Sequence, residues 1–285
     1  GVYAAFPSMF DAEDKINEKA SAQLVEFLLS KGLTGFYVGG STGEFLSMTP
    51  QERMQLLEVV VSRTKGRAKV IAHVGAPDTK TATLLAKHAA QVGVDAISSV
   101  SPFYYKHSSL ELTRYYLDIV QASGMPMIIY NYGNSGIILT HENAPELFAD
   151  EGIAGVKHTS SDFFMLEQMK TKYPNKVFFN GSDEMLSSGL AAGADGGIGT
   201  TYNVMPQYYA AIYQNFLSNN IAECKAIQKK ANRVTAPMLK AGCLPSMKYI
   251  LNLLGIDAGV CRRPFLPLTP EQKKAIEEVF KDIEY

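Results

Sequence analysis

Apolar residues fall along this chain in two alternating rhythms. Short apolar runs recur at VYAAF (2–6), GFYVGG (35–40), KVIAHVG (69–75), DAISSVSP (95–102), PMIIYN (126–131), GIAGVKHT (152–159), KVFFNGS (176–182) and GGIGTT (196–201). Each is trailed by a longer stretch with the spacing of a helix packed on one side. In KINEKASAQLVEFLLSKG (15–32), Leu24, Phe27, Leu28 and Leu29 make one apolar stripe. Thr49-Pro50 opens another helix, a capping hydroxyl followed by a proline at the first helical position.

Strands buried on both faces read as continuous apolar runs, and strand–helix alternation implies parallel crossovers. Eight such units predict a (β/α)8 TIM barrel over residues 1–218. A doubly wound sheet would carry a Gly-rich dinucleotide turn after its first strand, and VYAAF has none. From about residue 219 the strand signals stop. IAECKAIQKKANRVTAPMLKAG (221–242), SMKYILNLLG (246–255) and TPEQKKAIEEVFKDI (269–283) read as three helices. We expect residues 219–285 to form a helical extension packed on the barrel.

Composition narrows the function. The 285 residues carry 27 Lys+Arg against 28 Asp+Glu, a formal charge of −1, so neither nucleic acid nor an anionic membrane is an expected partner. No apolar stretch reaches the ~18 residues of a membrane span, and no secretory leader is visible. Cys224, Cys243 and Cys261 lack a C-x-x-C spacing, and their odd number argues against a disulfide framework. The histidines show no H-E-x-x-H pattern, so no metal is expected. A cytoplasmic setting follows as the default.

Barrel active sites gather at the C-terminal ends of the strands. There the chain places Ser41, Thr42, Tyr104, Tyr130, Lys157, Asp183, Glu184 and Thr200. Lys157 is conspicuous because GVKHTS ends an apolar run. Desolvation disfavours the ammonium, and a neutral amine can attack a ketone to form a Schiff base. The plainer reading is a lysine that pairs with an acid at the barrel mouth. GGSTGE (39–44) offers backbone N–H groups and two hydroxyls to a carboxylate, although it also reads as an ordinary tight turn. Tyr130 is placed to move a proton or simply to point its hydroxyl into water. SPFYYK (101–106) puts Tyr104 and Tyr105 on a loop. The acids of GSDE (181–184) suit polyol hydroxyls, or merely a helix start.

GGSTGE, PFYYK, IIYN, GVKHTS, GSDE, GADGGIGTTYN and CRRPF, in this order, resemble the N-acetylneuraminate lyase branch of the class I pyruvate aldolases. That superfamily also contains dihydrodipicolinate synthase. The resemblance spans nearly the whole chain. It implies reversible cleavage of N-acetylneuraminate to pyruvate and N-acetylmannosamine, with no cofactor and in a homotetramer. By the same resemblance Lys157 is the Schiff-base lysine, and Ser41 and Thr42 grip the pyruvyl carboxylate. Tyr130 shuttles a proton where the bond breaks, and Tyr104 is lent across a subunit interface to complete a relay with Ser41. Thr159, Gly181, Asp183, Glu184 and Thr200 hold the sugar's hydroxyl tail.

Two departures bear on substrate. In NYGNSGI (131–137), Tyr132-Gly133 replaces the family's proline pair, with an apparent one-residue shortening. Ser101 replaces the more usual Thr before PFYY. The same segment lacks the arginine by which dihydrodipicolinate synthase binds its aldehyde substrate. A lyase for another 2-keto-3-deoxy sugar acid, a dihydrodipicolinate synthase-like condensation and a non-catalytic barrel that binds a sugar acid remain the alternatives.

Overall fold

The structure is a computed structural model that describes residues 1–133 and 137–285. Eight strands, β1 (Val2–Phe6), β2 (Gly35–Val38), β3 (Lys69–His73), β4 (Ala96–Val100), β5 (Met127–Tyr132), β6 (Ile153–Thr159), β7 (Val177–Asn180) and β8 (Gly196–Gly199), close into one parallel barrel in chain order. Helices α1 (Glu18–Ser30), α2 (Pro50–Thr64), α3 (Thr79–Val92), α4 (Ser109–Ser123), α5 (Pro145–Ala149), α6 (Phe163–Lys172), α7 (Leu186–Ala191) and α8 (Pro206–Leu217) separate and follow the strands. The expected (β/α)8 TIM barrel is therefore the observed fold.

Local chemistry explains the element limits. Thr49 and Glu52 form a reciprocal capping box ahead of α2, and Ser108 with Glu111 does the same for α4. On α1 the buried stripe is Leu24, Val25 and Leu28, while Phe27 and Leu29 are only half-buried. The helix turns slightly from the face that the spacing suggested.

The barrel has two apolar layers. The outer one packs helices on strands. The inner one joins Ala5, Tyr37, Ile71, Val100, Ile128, Tyr130, Phe179 and Ile198 inside the strand ring. Continuous apolar strands follow from this double burial. In the register Tyr130 lies beside Lys157, and Lys157 beside Phe179, so the lysine opens into the inner layer.

Three further helices complete the chain: α9 (Ile221–Ala241), α10 (Cys243–Leu253) and α11 (Pro270–Phe280). Pro237 lies inside α9. The loop after α10 is bolted to the barrel by Arg262, which donates to Glu52 Oε1 at 2.5 Å, Asp14 Oδ1 at 2.8 Å and Ser47 O at 2.7 Å. Among the described residues no helix is long and apolar enough to cross a membrane.

Candidate active site

At the C-terminal mouth of the barrel lies a cavity of about 340 Å³. Its lining includes Ser41, Thr42, Tyr130, Lys157, Thr159, Gly181, Asp183, Glu184 and Thr200. Every residue singled out from the sequence is there except Tyr104. A second cavity, about 460 Å³, lies along α10, α11 and the loop between them and contains none of these residues.

Strand β6 ends at Thr159, where the apolar run 152–159 ended, and β5 runs one residue beyond the run 126–131, to Tyr132. Side chains two residues apart on a strand share a face, so Lys157 with Thr159, and Tyr130 with Tyr132, line one wall. Tyr132 stacks on Tyr130, with ring centroids 5.9 Å apart. The altered loop was expected across 131–136; of it, residues 134–136 lie outside the described residues.

Lys157 is 5% exposed. Its Nζ lies 4.0 Å from the Tyr130 ring centroid and 4.5 Å from that of Tyr37. None of the ion pairs among the described residues includes it. The plainer reading, a lysine held by an acid at the barrel mouth, therefore finds no support in the geometry. Tyr37 was not anticipated. It is fully buried and bonded through its hydroxyl to Ser98 Oγ at 2.9 Å. Burial pushes its phenol well above the ordinary tyrosine range, which leaves it neutral packing under the lysine.

His73 edges against Tyr37, Tyr130 and Phe45. Burial, with the Arg53 guanidinium second, holds its imidazole well below the ordinary range. Its tautomer is fixed by the backbone: Nδ1 donates to Gly39 O at 2.8 Å and Nε2 accepts from the Val100 N–H at 3.2 Å. A neutral His73 with both nitrogens engaged is scaffold for the aromatic floor.

Ser41, Thr42 and Gly43 form a 3₁₀ turn after β2. Gly39, at φ 76°, makes the left-handed approach that a side chain would strain. Thr42 Oγ1 and Thr200 Oγ1 are 2.7 Å apart, which joins the turn after β2 to the end of β8.

The opposite end of the cavity is acidic. Asp183 is buried, and its Oδ2 accepts from the Thr201 N–H at 2.6 Å and Oγ1 at 2.7 Å. Burial raises this carboxyl to about 6, against the lowering effect of the two Thr201 bonds; the neighbouring Glu184 adds to the rise and Lys157 opposes it. Gly181 is required by close approach, because a Cβ there would run into Thr159 Oγ1. Helix α9 braces the acidic turn: Gln228 Nε2 donates to Asp183 O at 3.2 Å and Asn232 Nδ2 to Glu184 O at 3.0 Å. Thr235, Leu239 and Cys243 from the extension complete the wall. Burial first, then the two acids, pushes the Cys243 thiol to about 12, far from a thiolate nucleophile. Thr201, Thr235 and Cys243 carried no local signal in the sequence.

Tyr104 stands apart. It is 91% exposed, has φ 84°, and packs edge-on against Tyr105 at 5.2 Å. The chain's own pocket does not use it. Among the described residues no cluster of three His, Cys, Asp or Glu could hold a metal ion.

Comparison with known proteins places these residues in context. Residues 1–283 match the dihydrodipicolinate synthetase family. The chain is 37% identical over 278 residues to the N-acetylneuraminate lyase of Rhizobium meliloti (strain 1021), covering 98% of this chain and 93% of that one. A Clostridium difficile crystal structure in complex with mannosamine superposes with a TM-score of 0.94 at 34% identity, over 100% of this chain and 99% of that one. N-acetylneuraminate lyase from Fusobacterium nucleatum complexed with pyruvate gives a TM-score of 0.95 at 33% identity, over 100% and 97%.

Proposed function

The chain belongs to the dihydrodipicolinate synthetase family, and on that footing we propose that it is a Schiff-base aldolase that reversibly cleaves N-acetylneuraminate to pyruvate and N-acetylmannosamine. The observation that carries this reading is Lys157, buried on the pocket wall against two aromatic rings and outside the ion pairs among the described residues. An amine so placed is disposed to covalent chemistry.

The Lys157 amine adds to the C2 ketone of the open-chain sugar acid, and loss of water gives the imine. Ser41 and Thr42 hold the neighbouring carboxylate through the turn's N–H groups and hydroxyls. Tyr130 relays the proton of the C4 hydroxyl as the C3–C4 bond breaks, passing its own phenolic proton to the substrate carboxylate as it takes the new one. The bonding pair moves into the imine and leaves an enamine, and the aldehyde departs. Protonation at C3 and hydrolysis then release pyruvate and restore the amine. The electron pair is accommodated where it develops, which is the main catalytic demand of this reaction. Thr159, Gly181, Asp183, Glu184 and Thr200 hold the sugar's hydroxyls.

Tyr104 serves a neighbouring subunit in this reading and completes a relay with that subunit's Ser41. Its exposure on a strained loop supports a contact made only on assembly, and we take the assembly as a homotetramer. We divide the chain at 218/219, in the connection between α8 and α9, into barrel and helical extension. The cysteine pattern favours the cytoplasm.

Tyr132, stacked on Tyr130 where the family carries a proline pair, favours one rival: a lyase for another 2-keto-3-deoxy sugar acid. Pyruvate release from a panel of nonulosonic and 2-keto-3-deoxy acids separates the two. The proposal predicts the highest kcat/KM with N-acetylneuraminate; a shorter sugar acid ahead by tenfold or more would overturn it.

A further inference from the structure

The turn that carries Ser41 and Thr42 is held from the far end of the sequence. Glu44 closes it in the left-handed region, at φ 53°, and its N–H donates to Ser41 O at 3.0 Å. A residue with a Cβ seldom adopts that conformation. Its side chain does not line the pocket. It runs instead into the interior, where Oε1 pairs with Lys248 Nζ at 2.7 Å and Oε2 accepts the Arg262 N–H at 2.8 Å. The side chains of Lys248 and Glu44 are 1% and 0% exposed. Lys248 also donates to Val260 O at 2.9 Å and lies 4.6 Å from the Phe10 ring centroid. At the same end of the turn, Ser8 Oγ donates to Gly43 O at 2.6 Å.

A buried ion pair is poor evidence for net stability, because desolvation offsets the attraction. What it does impose is geometry: a desolvated carboxylate must meet its cation. Glu44 reaches Lys248 from the backbone conformation that also presents the Ser41–Gly43 turn to the pocket. We propose that Lys248, on α10, is a positioning residue for the keto-acid carboxylate, fixing the Ser41–Thr42 turn through Glu44. This rests on the aldolase reading. The extension then helps set affinity for pyruvate as well as covering the barrel.

The test compares the wild type with Lys248→Met and with the double variant Glu44→Gln/Lys248→Met. The double variant buries neither charge and keeps an acceptor for the Arg262 N–H. Pyruvate is titrated with borohydride present, and reduced adduct on Lys157 is measured by mass spectrometry. In the double variant we expect a folded chain and the same adduct at saturation. We also expect a pyruvate half-saturation raised tenfold or more, with kcat changed less than threefold. A half-saturation within twofold of wild type would overturn the inference and leave the aldolase reading intact. Failure of both variants to fold would also overturn it, since the pair would then determine the fold and not the turn. Absence of adduct in the wild type would instead sink the aldolase reading and this inference with it.

Discussion

At one end of the pocket Lys157 rests on the rings of Tyr37 and Tyr130 beside a turn of hydroxyls and backbone N–H groups. At the other end two carboxylates, Asp183 and Glu184, sit on a turn braced by α9. The first end is built from strands of the barrel and the turn after β2, and none of the ion pairs among the described residues includes its lysine. The second holds two adjacent acids, of which burial raises Asp183 to about 6, and in the proposed reading it recognises hydroxyls. On the proposed reading, bond-breaking chemistry and substrate choice fall to separate surfaces, and variants should separate them.

Lys157→Ala should cause the largest effect. It should abolish cleavage, while the melting temperature stays within a few degrees, because none of the ion pairs among the described residues is broken. Measurable residual cleavage at wild-type KM would break the division at its first end. Tyr130→Phe should lower kcat by about 10²–10⁴-fold, the range for a lost acid–base group, yet still form the pyruvate imine. Unchanged kcat would remove Tyr130 from the proton transfer. Glu184→Gln acts at the other end. It should raise KM for the sugar acid by about 10–100-fold, as for a hydrogen bond to a charged group, and leave pyruvate trapping unaltered. A loss of trapping in this variant would show that the two ends are coupled.

The smallest effect concerns Asp183 and stability. Its carboxyl titrates at about 6 in the fold, raised from 3.8 chiefly by burial. A raised acid binds its proton more tightly when folded, so the contribution is full below pH 3.8 and is lost as pH rises through about 6. The change is up to about 3 kcal/mol at roughly 1.4 kcal/mol per pH unit. Melting curves from pH 4 to 7 should slope downward from this group, and Asp183→Asn should flatten that slope. An unchanged slope would mean that the carboxyl is not desolvated as described.

The two ends also differed in how far the sequence disclosed them. The barrel was legible because double burial leaves continuous apolar runs. Lys157 was legible because an amine interrupts such a run, and GGSTGE because glycines and hydroxyls cluster there. The limit of β6 at Thr159 was legible as the end of the run 152–159, whereas β5 runs one residue beyond 126–131, to Tyr132. Tyr37 looked like one more apolar strand residue; only barrel closure puts its ring beneath the lysine. Thr201, Thr235 and Cys243 are remote from the acids in sequence; barrel closure brings Thr201, just after β8, to the acidic end, and packing of α9 and α10 brings Thr235 and Cys243. Glu44 and Lys248 stand 204 positions apart, and no local pattern joins them.

The central claim is that Lys157 forms a covalent imine with a keto acid. The most direct measurement is incubation of the wild-type chain with pyruvate and borohydride, followed by peptide mapping. The account predicts a single reduced pyruvate adduct on the peptide that contains Lys157, and none in Lys157→Ala. No adduct, or an adduct that persists on another lysine in that variant, would contradict it.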